Sequence, residues 1–336
     1  MEFKHLLSFD LDQYGELYGG YPAVVDNPLG YLEAFLYENP VIELRMADTS
    51  ILGVMFFDLT LMKGANTILS IRYSNDKVTS KYVQLSEILA AYYNQTPFGM
   101  LSSTQANYND FSLSIEVLDE YGTSLHSESA TLRVVNSFAG VKEVYLPTEL
   151  KIIAGEDAAI SVNPNGSFAV SATGISGGSV SLSYTVFKAF DDGEIVSVNN
   201  SAWSVVERCR IEHVEVCGHI QLNWLSKEAG GWKSAAFEVV GESVEGTDGV
   251  EFVNNYTKYE GKRHEKKLRL IYRSCNWRTS AYLADIVSSD DVFYLYTDTF
   301  GTDQKVNVLI GGGSQAVRNK LVDFEIVATI KEGEWL

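Results

Sequence analysis

The residue types that enzymes use for hydrolysis and for phosphate binding are present in this chain, but they lack the expected spacing. A hydrolase needs paired carboxylates or a Ser/His/Asp set in a cleft, and no H-E-x-x-H motif frames the five histidines. The run Gly311–Gly313 is followed by Ser314 and lacks the Lys-Ser/Thr ending of a phosphate-binding loop. We therefore predict a hairpin turn at the glycine run, no catalytic residue and no cofactor.

Carboxylates and thiols are the second set of groups that could do chemistry, by binding metal ions. Two carboxylate groups resemble a Ca²⁺ site in spacing but lack the D-x-D-x-D-G loop pattern. They are Asp285 with Asp290 and Asp291, and Asp10 with Asp12 and Glu16. Cys209, Cys217 and Cys275 show no CxxC spacing, although His213 and His219 lie close to the first two cysteines. We predict buried reduced thiols, a polar turn over residues 288–291 and no metal site.

Aromatic side chains could line a groove that binds a sugar. The tryptophans that offer this are Trp203, Trp224, Trp232 and Trp277. Trp224 is in phase with Ile220 and Leu222, which favours a place in the core for it. Recognition of a cell-surface glycan or protein therefore remains the alternative function.

Charge excludes one class of partner and indicates another. The formal net charge is −18, and an acidic surface disfavours binding to nucleic acid. A local exception is a set of cations between positions 262 and 278, which are Lys262, Arg263, Lys266, Lys267, Arg269, Arg273 and Arg278. They are either the solvated edge of a hairpin, where cations discourage edge pairing, or a face that docks on an acidic neighbour. Contact with packaged DNA is a third, weaker option. The first five are our candidate assembly contacts.

Residues 1–40 are rich in Tyr, Gly and Asp and show no regular periodicity. We interpret them as an N-terminal arm in which Tyr18 and Tyr21 contact a partner, because tyrosine combines a large contact area with a polar tip. A strand and loop lying on the chain's own domain is the equal alternative. The first ten residues lack the apolar core of a signal peptide, and no run of 18 apolar residues occurs. We expect a protein made in the cytoplasm with no membrane contact.

The elements that position these residues are mostly strands. Alternating patterns predict a β-sandwich domain over residues 41–140, with strands at Phe111–Leu118 and Ala130–Asn136. One helix interrupts it, with an apolar stripe at Leu85, Ile88, Leu89 and Tyr92. Ser86 is its predicted N-cap.

Residues 141–200 form a Gly/Ser-rich β segment, which is either part of a sheet or a protruding insertion. Residues 201–336 form a second β domain. In it Val214–Leu225 reads as a half-buried strand, with Ile220, Leu222 and Trp224 opposed to His219, Gln221 and Asn223. Gly230–Gly231 makes a turn, Trp232 begins the returning strand, and a short helix follows around Thr279–Val287. The fold class is mostly β, with two or more sandwich-like domains and a few short helices.

The hairpin Trp-Leu-x-x-x-x-Gly-Gly-Trp-x-x-x-x-Phe, from Trp224 to Phe237, resembles one in structural proteins of tailed phages and prophages of Bacteroidetes-type hosts, including crAss-like phages. The segment Tyr282–Leu295, followed by Lys305–Ile310 and Val322–Ile330, resembles the short helix and terminal β-ribbon of such proteins. The resemblance covers about residues 205–334. It implies a non-enzymatic virion component of the tail, tail-tip, baseplate or connector, which assembles with other virion proteins as a homo-oligomeric ring or stack.

Overall fold

The computed structural model is mostly β, which confirms the fold class predicted from the sequence. Two compact units divide the chain: the first comprises residues 1–96 and 107–140, and the second comprises residues 97–106 and 141–336. The structure describes residues 7–11, 17–19, 32–38, 40–46, 56–74, 80–101, 104–106, 108–138, 146–162, 168–171, 179–180, 184–188, 192–193, 195–200, 205–253, 256–297, 303–318 and 321–331.

The strands alternate with few helices. The strands up to residue 140 are β1 (Leu7–Leu11), β2 (Leu17–Gly19), β3 (Leu32–Phe35), β4 (Val41–Met46), β5 (Phe56–Lys63), β6 (Asn66–Ser74), β7 (Ser80–Gln84), β8 (Thr104–Ala106), β9 (Tyr108–Leu118) and β10 (Ser124–Val135). The later strands are β11 (Glu149–Ile153), β12 (Ala158–Val162), β13 (Phe168–Ser171), β14 (Ser179–Val180), β15 (Tyr184–Lys188), β16 (Ile195–Asn200), β17 (Val205–Val214), β18 (His219–Leu225), β19 (Trp232–Val253), β20 (Tyr256–Cys275), β21 (Val292–Thr297), β22 (Asp303–Asn307), β23 (Leu309–Arg318) and β24 (Leu321–Lys331). The described α-helices are α1 (Ser86–Tyr92) and α2 (Trp277–Ala284), and 3₁₀ turns cover Leu36–Glu38, Phe98–Met100 and Asp285–Ser288.

The first unit contains two sheets. One has the order β2-β1-β4-β7 and the other the order β3-β10-β9-β5-β6. Alternate residues of β5, namely Phe57, Leu59 and Leu61, are buried against the matching residues of β9 and against α1. The described parts of residues 1–40 take part in these sheets, because β1 pairs with β4 and β3 pairs with β10.

The prediction that Ser86 caps helix α1 was wrong. The N-cap position is held by Leu85, whose backbone is already in the helical region and whose N–H donates to the carbonyl of Pro40 at 2.9 Å. The Ser86 hydroxyl instead accepts a hydrogen bond from the Gln84 side chain at 3.2 Å. The helix therefore begins one residue early, because the adjoining strand positions the first turn. Its apolar stripe is confirmed for Leu85 and Leu89, which are buried.

The second unit contains three sheets. Their orders are β11-β17-β16-β13-β14, β12-β15-β8 and β22-β21-β18-β19-β20-β24-β23. Within residues 141–200, the strands β11, β13, β14 and β16 thus share a sheet with β17, whereas β12 and β15 lie with β8 in a separate sheet. The single strand predicted over Val214–Leu225 is wrong, because the chain turns between β17 and β18 at Gly218, whose φ is +81°.

Strands β19 and β20, of 22 and 20 residues, form the longest hairpin among the described elements. Near its base, β19 pairs with β18 as far as Glu238, and β20 pairs with β24 from Glu265 onward. Beyond these points, within the described residues, β19 and β20 pair with each other, ending at the pair Val253–Tyr256. We call residues 240–264 of this hairpin the ribbon.

Candidate functional site

The ribbon and its base carry the basic residues among the predicted assembly contacts. In the structure Lys262 lies opposite Asp248, and Arg263 lies opposite Thr247. Lys266 and Lys267 follow at the base of the ribbon, and Arg269 lies within the seven-stranded sheet. The five basic residues are thus brought together on one strand. Tyr18 lies apart from them in β2, opposite Asp10, and Tyr21 lies outside the described residues.

Basic residues at the base of the ribbon are paired with carboxylates of neighbouring strands. Lys266 Nζ lies 2.9 Å from Glu242, and Lys267 Nζ lies 2.5 Å from Glu245. The guanidinium of Arg269 binds both carboxylate oxygens of Glu325. Each pair is diagonal in register, a spacing that long side chains span. These groups therefore stabilise their own sheet and present less unbalanced charge than the sequence indicates.

Three cross-strand ion pairs shift pKa values in this region. The Arg273 guanidinium holds the pKa of Glu238 below its ordinary value, and Arg269 does the same for the pKa of Glu325, chiefly through hydrogen bonds. The Glu245 carboxylate raises the pKa of Lys267 by the same mechanism. All three shifts favour the charged forms, so the ion pairs persist at neutral pH.

The outer edges of the ribbon differ from its charged base. From Val240 onward the structure shows no third strand beside the described residues of β19, and none beside those of β20 before Glu265. Val240 and Val244 are 37% and 53% exposed. Unpaired backbone N–H and C=O groups at a strand edge are a template for pairing with another chain. The ribbon can therefore accept a neighbouring strand or pack apolar side chains against it.

The three tryptophans that the structure describes do not form a common groove. Trp224 and Trp232 are buried, at 0% and 3% exposure, and Trp232 packs edge-on against Phe98 and Phe293. Trp203 lies outside the described residues. Trp277 is 58% exposed at the start of α2, with the Arg278 guanidinium 5.5 Å from its ring centroid.

Gly311–Gly313 lie within strand β23, so the predicted hairpin turn was wrong. A bulge falls between Ile310 and Gly313, and Gly312 has a φ of +139°. A Cβ atom at Gly313 would lie 3.0 Å from Cγ2 of Val287. The glycines therefore let the edge strand bend and approach the 3₁₀ turn closely.

No group of three or more metal-ligating side chains meets in the part of the chain that the structure describes. In the first group considered for Ca²⁺, Asp290 binds Lys227 at 2.7 Å and Asp291 binds Lys305 at 3.0 Å. In the second group, Asp12 and Glu16 lie outside the described residues. The three cysteines are free, but Cys217 is exposed, which corrects the prediction that all three are buried. Burial raises the pKa of the Cys275 thiol to about 11.

A surface cleft of the second unit brings titratable groups together. The cavity measures about 450 Å³ and is lined by Glu149, Asp192, Arg210, Ile211, Glu212 and His213. Burial and a hydrogen bond with the Glu212 carboxyl raise the pKa of Glu149. The backbone N–H of His213 donates to Asp192 at 3.0 Å. Two neighbouring carboxyl groups can exchange protons, but none of the described residues that line the cleft carries a hydroxyl or thiol nucleophile.

The polar face predicted for strand β18 is buried as well as the apolar face. The Gln221 amide accepts from the backbone N–H of Ile153 at 3.0 Å and donates to the carbonyl of Asp157 at 2.7 Å. Asn223 accepts from the Ser234 hydroxyl at 2.6 Å, and this hydroxyl accepts from the N–H of Ala159 at 2.9 Å. The half-buried prediction was wrong because side-chain amides can satisfy the backbone groups of a second sheet.

Sequence analysis missed a buried ion pair beside the turn of the Trp224–Phe237 hairpin, the hairpin that carries the resemblance. Lys233 Nζ lies 2.9 Å from Oδ2 of Asp285, and both side chains are fully buried. Trp224 Nε1 donates to Oδ1 of Asp285 at 2.6 Å, and the Ser226 hydroxyl donates to Oδ2. The Tyr282 ring centroid lies 4.6 Å from Lys233 Nζ. A buried charge is tolerated only when it is paired and hydrogen-bonded. The two charges here are paired with each other, and the carboxylate accepts two further hydrogen bonds.

The local sequence explains how these groups meet. Trp224 and Lys233 are directly opposite in the β18–β19 register, so their side chains share a face. The Ser226 hydroxyl also accepts the N–H of Ala229 at 2.9 Å, which shapes the connecting loop. Asn276 caps α2 by accepting the N–H of Thr279 at 3.0 Å, and this helix delivers Asp285 at its end. Strand phase indicates an inward Lys233 beside Ala235 and Phe237, which is the signal that could have found it.

No described helix of the structure has the length and apolar character needed to cross a membrane. Neither the protein-family models nor the curated proteins gave a match to this chain. The resemblance to virion proteins therefore remains a hypothesis.

Proposed function

We propose that this chain is a non-enzymatic structural subunit of a tailed-phage particle, in the tail, tail-tip, baseplate or connector. It assembles with neighbouring virion proteins, as a homo-oligomeric ring or stack, and contacts neither nucleic acid nor membrane directly. The observation that carries this proposal is the ribbon, a long hairpin whose described outer edges have no strand partner. Such an edge gives a neighbour main-chain hydrogen bonds without requiring a catalytic group.

The energy of such assembly comes from buried area and backbone pairing. A stable, specific contact buries about 1,600 Å² in total, and an extended hairpin offers two edges and two faces for that purpose. A contact between unlike surfaces either closes into a ring or continues into a tube. A ribbon docking on a different surface of the next copy is a contact of this kind.

The test is the mass of the purified protein at several concentrations, measured by light scattering after size exclusion. We expect a defined ring, or assemblies that grow with concentration. A shortened variant, in which residues 246–264 are replaced by Asn-Gly, joins the paired residues Glu245 and Glu265 by a two-residue turn. We expect this variant to stay folded and monomeric.

A point variant separates the ribbon's contact from a general loss of solubility. Val244→Asp places a charge on an exposed ribbon residue, and Val216→Asp, on a 65% exposed residue between β17 and β18, is the matched control. Only the first should reduce assembly. A wild-type protein that remains monomeric at every concentration contradicts self-assembly through the ribbon. Immunogold labelling of purified phage particles tests the virion location separately.

The alternative function, recognition of a cell-surface glycan or protein, has one observation in its favour. Trp277 is exposed and lies beside Arg278 at the start of α2, and an aromatic ring can stack on a sugar. A glycan array with the wild type and Trp277→Ala tests this alternative. Glycan affinity that Trp277→Ala removes, in a protein that stays monomeric, would favour it over the structural subunit.

A further inference from the structure

The buried pair Lys233–Asp285 brings together two groups that can condense to an amide. The amine nitrogen lies 2.9 Å from a carboxylate oxygen, and neither side chain is exposed to solvent. The residues are 52 positions apart, one on β19 and the other in the 3₁₀ turn after α2. Two regular elements therefore hold the reacting groups in contact, which removes most of the entropic barrier to their reaction.

The pair is shielded from water, and condensation begins with a proton transfer inside it. The neutral forms that react arise when a proton passes from the Lys233 ammonium to the Asp285 carboxylate across their 2.9 Å contact. The lining includes the rings of Trp224 and Tyr282, which pack edge-on with centroids 5.9 Å apart. A neutral amine has the free electron pair that attack on the carboxyl carbon needs.

Two hydrogen-bond donors are aimed at the carboxyl group. Trp224 Nε1 donates to one oxygen of Asp285, and the Ser226 hydroxyl donates to the other. When the amine adds to the carboxyl carbon, negative charge develops on oxygen. Donors that are already oriented stabilise that charge without further reorganisation. Both donors come from the end of β18 and the loop that follows it.

Glu228 supplies a proton carrier beside the pair. It lies in the loop between Ser226 and Ala229, is half-buried, and has Lys233 and Asp285 as its electrostatic neighbours. Burial raises its pKa, which increases the fraction of the carboxyl group that is protonated.

We propose that Lys233 and Asp285 form an intramolecular isopeptide bond after the chain folds. The lone pair of Nζ attacks Cγ of Asp285, and a new N–C bond forms. Glu228 transfers a proton from the nitrogen to the departing oxygen, the C–O bond breaks, and one water molecule leaves. No atom changes its oxidation state, so the reaction needs no oxidant and no further reactant. The linkage ties the hairpin to the helix that packs on it.

The intact mass of the full-length protein under denaturing conditions tests this directly. We expect a mass lower than the sequence mass by one water molecule. Digestion should give a branched peptide that joins the segments around Lys233 and Asp285, with no tryptic cleavage after Lys233. An unshifted mass with two separate peptides overturns the proposal. Because the branched peptide locates the lost water, a cyclised aspartate elsewhere cannot be mistaken for the linkage.

Three variants assign the roles. Lys233→Met should abolish the mass loss, and Asp285→Asn should give the same final product because ammonia leaves in place of water. Glu228→Gln should slow the appearance of the branched peptide about 100-fold or more in freshly synthesised protein, the usual effect of losing a general acid–base group. Linkage at the wild-type rate in Glu228→Gln would overturn the proposed role of Glu228. The mass of Lys233→Met needs no folded protein, so the result stands even if that variant is unstable.

Discussion

Replacing both members of the buried pair with apolar residues separates a covalent link from an ion pair. Lys233→Met and Asp285→Leu keep similar volumes and remove both charges. An ordinary buried ion pair replaced in this way leaves stability unchanged, or raises it by about 1–4 kcal/mol. A link across 52 residues instead removes about 14 cal/mol/K of entropy from the unfolded chain, or about 4 kcal/mol at 25 °C. We therefore expect the double variant to be about 4 kcal/mol less stable than the wild type.

Urea unfolding followed by tryptophan fluorescence measures this difference. All five tryptophans belong to the second unit, so the signal reports the unit that contains the pair. A double variant as stable as the wild type would refute the covalent contribution. The single variant Lys233→Met leaves the buried Asp285 carboxylate without its cation and should be about 3–5 kcal/mol less stable than the double variant. Lys305→Met, which breaks a half-exposed pair with Asp291, is the control and should cost less than about 1 kcal/mol.

Three other substitutions test the local geometry. Asn276→Ala removes the side-chain cap of α2 and should cost about 1 kcal/mol in urea unfolding, while Asn276→Ser should restore most of it. Gly313→Ala places a Cβ atom against Val287 and should lower the free energy of unfolding by about 1–3 kcal/mol. Adding Val287→Ala should recover this loss. If Gly313→Ala alone and the double variant are equally stable, the close approach is contradicted. The folded-state pKa values of Glu238 and Glu325 are lowered, so their stabilising effect is complete above the ordinary pKa of 4.5 and disappears as the pH falls through the lowered values. Melting temperatures of Arg273→Gln combined with Arg269→Gln should therefore fall less steeply below pH 4.5 than those of the wild type.

The local part of the fold could be predicted because it depends on strand phase. The alternation of Leu222 and Trp224 placed both residues in the core. The short helix expected around Thr279–Val287 is present as α2 and the 3₁₀ turn that follows it. The chain order of strands within a sheet could not be predicted in this way. Parallel pairs such as β11 with β17 join segments about 60 residues apart, and only tertiary packing selects them.

The buried polar contacts were missed for a related reason. Gln221 has the position of a solvent-facing residue, but its amide binds backbone groups of Ile153 and Asp157. Asn223 likewise is buried because it accepts a hydrogen bond from the Ser234 hydroxyl. Lys233 is of a residue type that is usually exposed, and its burial depends on Asp285, which the helix α2 positions 52 residues later in the chain. In each case the sequence contains both partners, but the burial of one depends on a partner that local periodicity does not reveal.

The ion pairs at the base of the ribbon bear on how the proposed assembly gains its energy. Exposed ion pairs contribute about 0–1 kcal/mol each to stability. Here Lys266, Lys267 and Arg269 already form ion pairs with carboxylates of their own sheet. Docking on an acidic neighbour would have to displace those carboxylates, which offsets most of the gain. The unpaired backbone edges of the described residues beyond the base face no such competition. The cations thus stabilise strand pairing where the ribbon leaves the sheet, and the backbone beyond them is the surface best suited to bind the proposed next subunit.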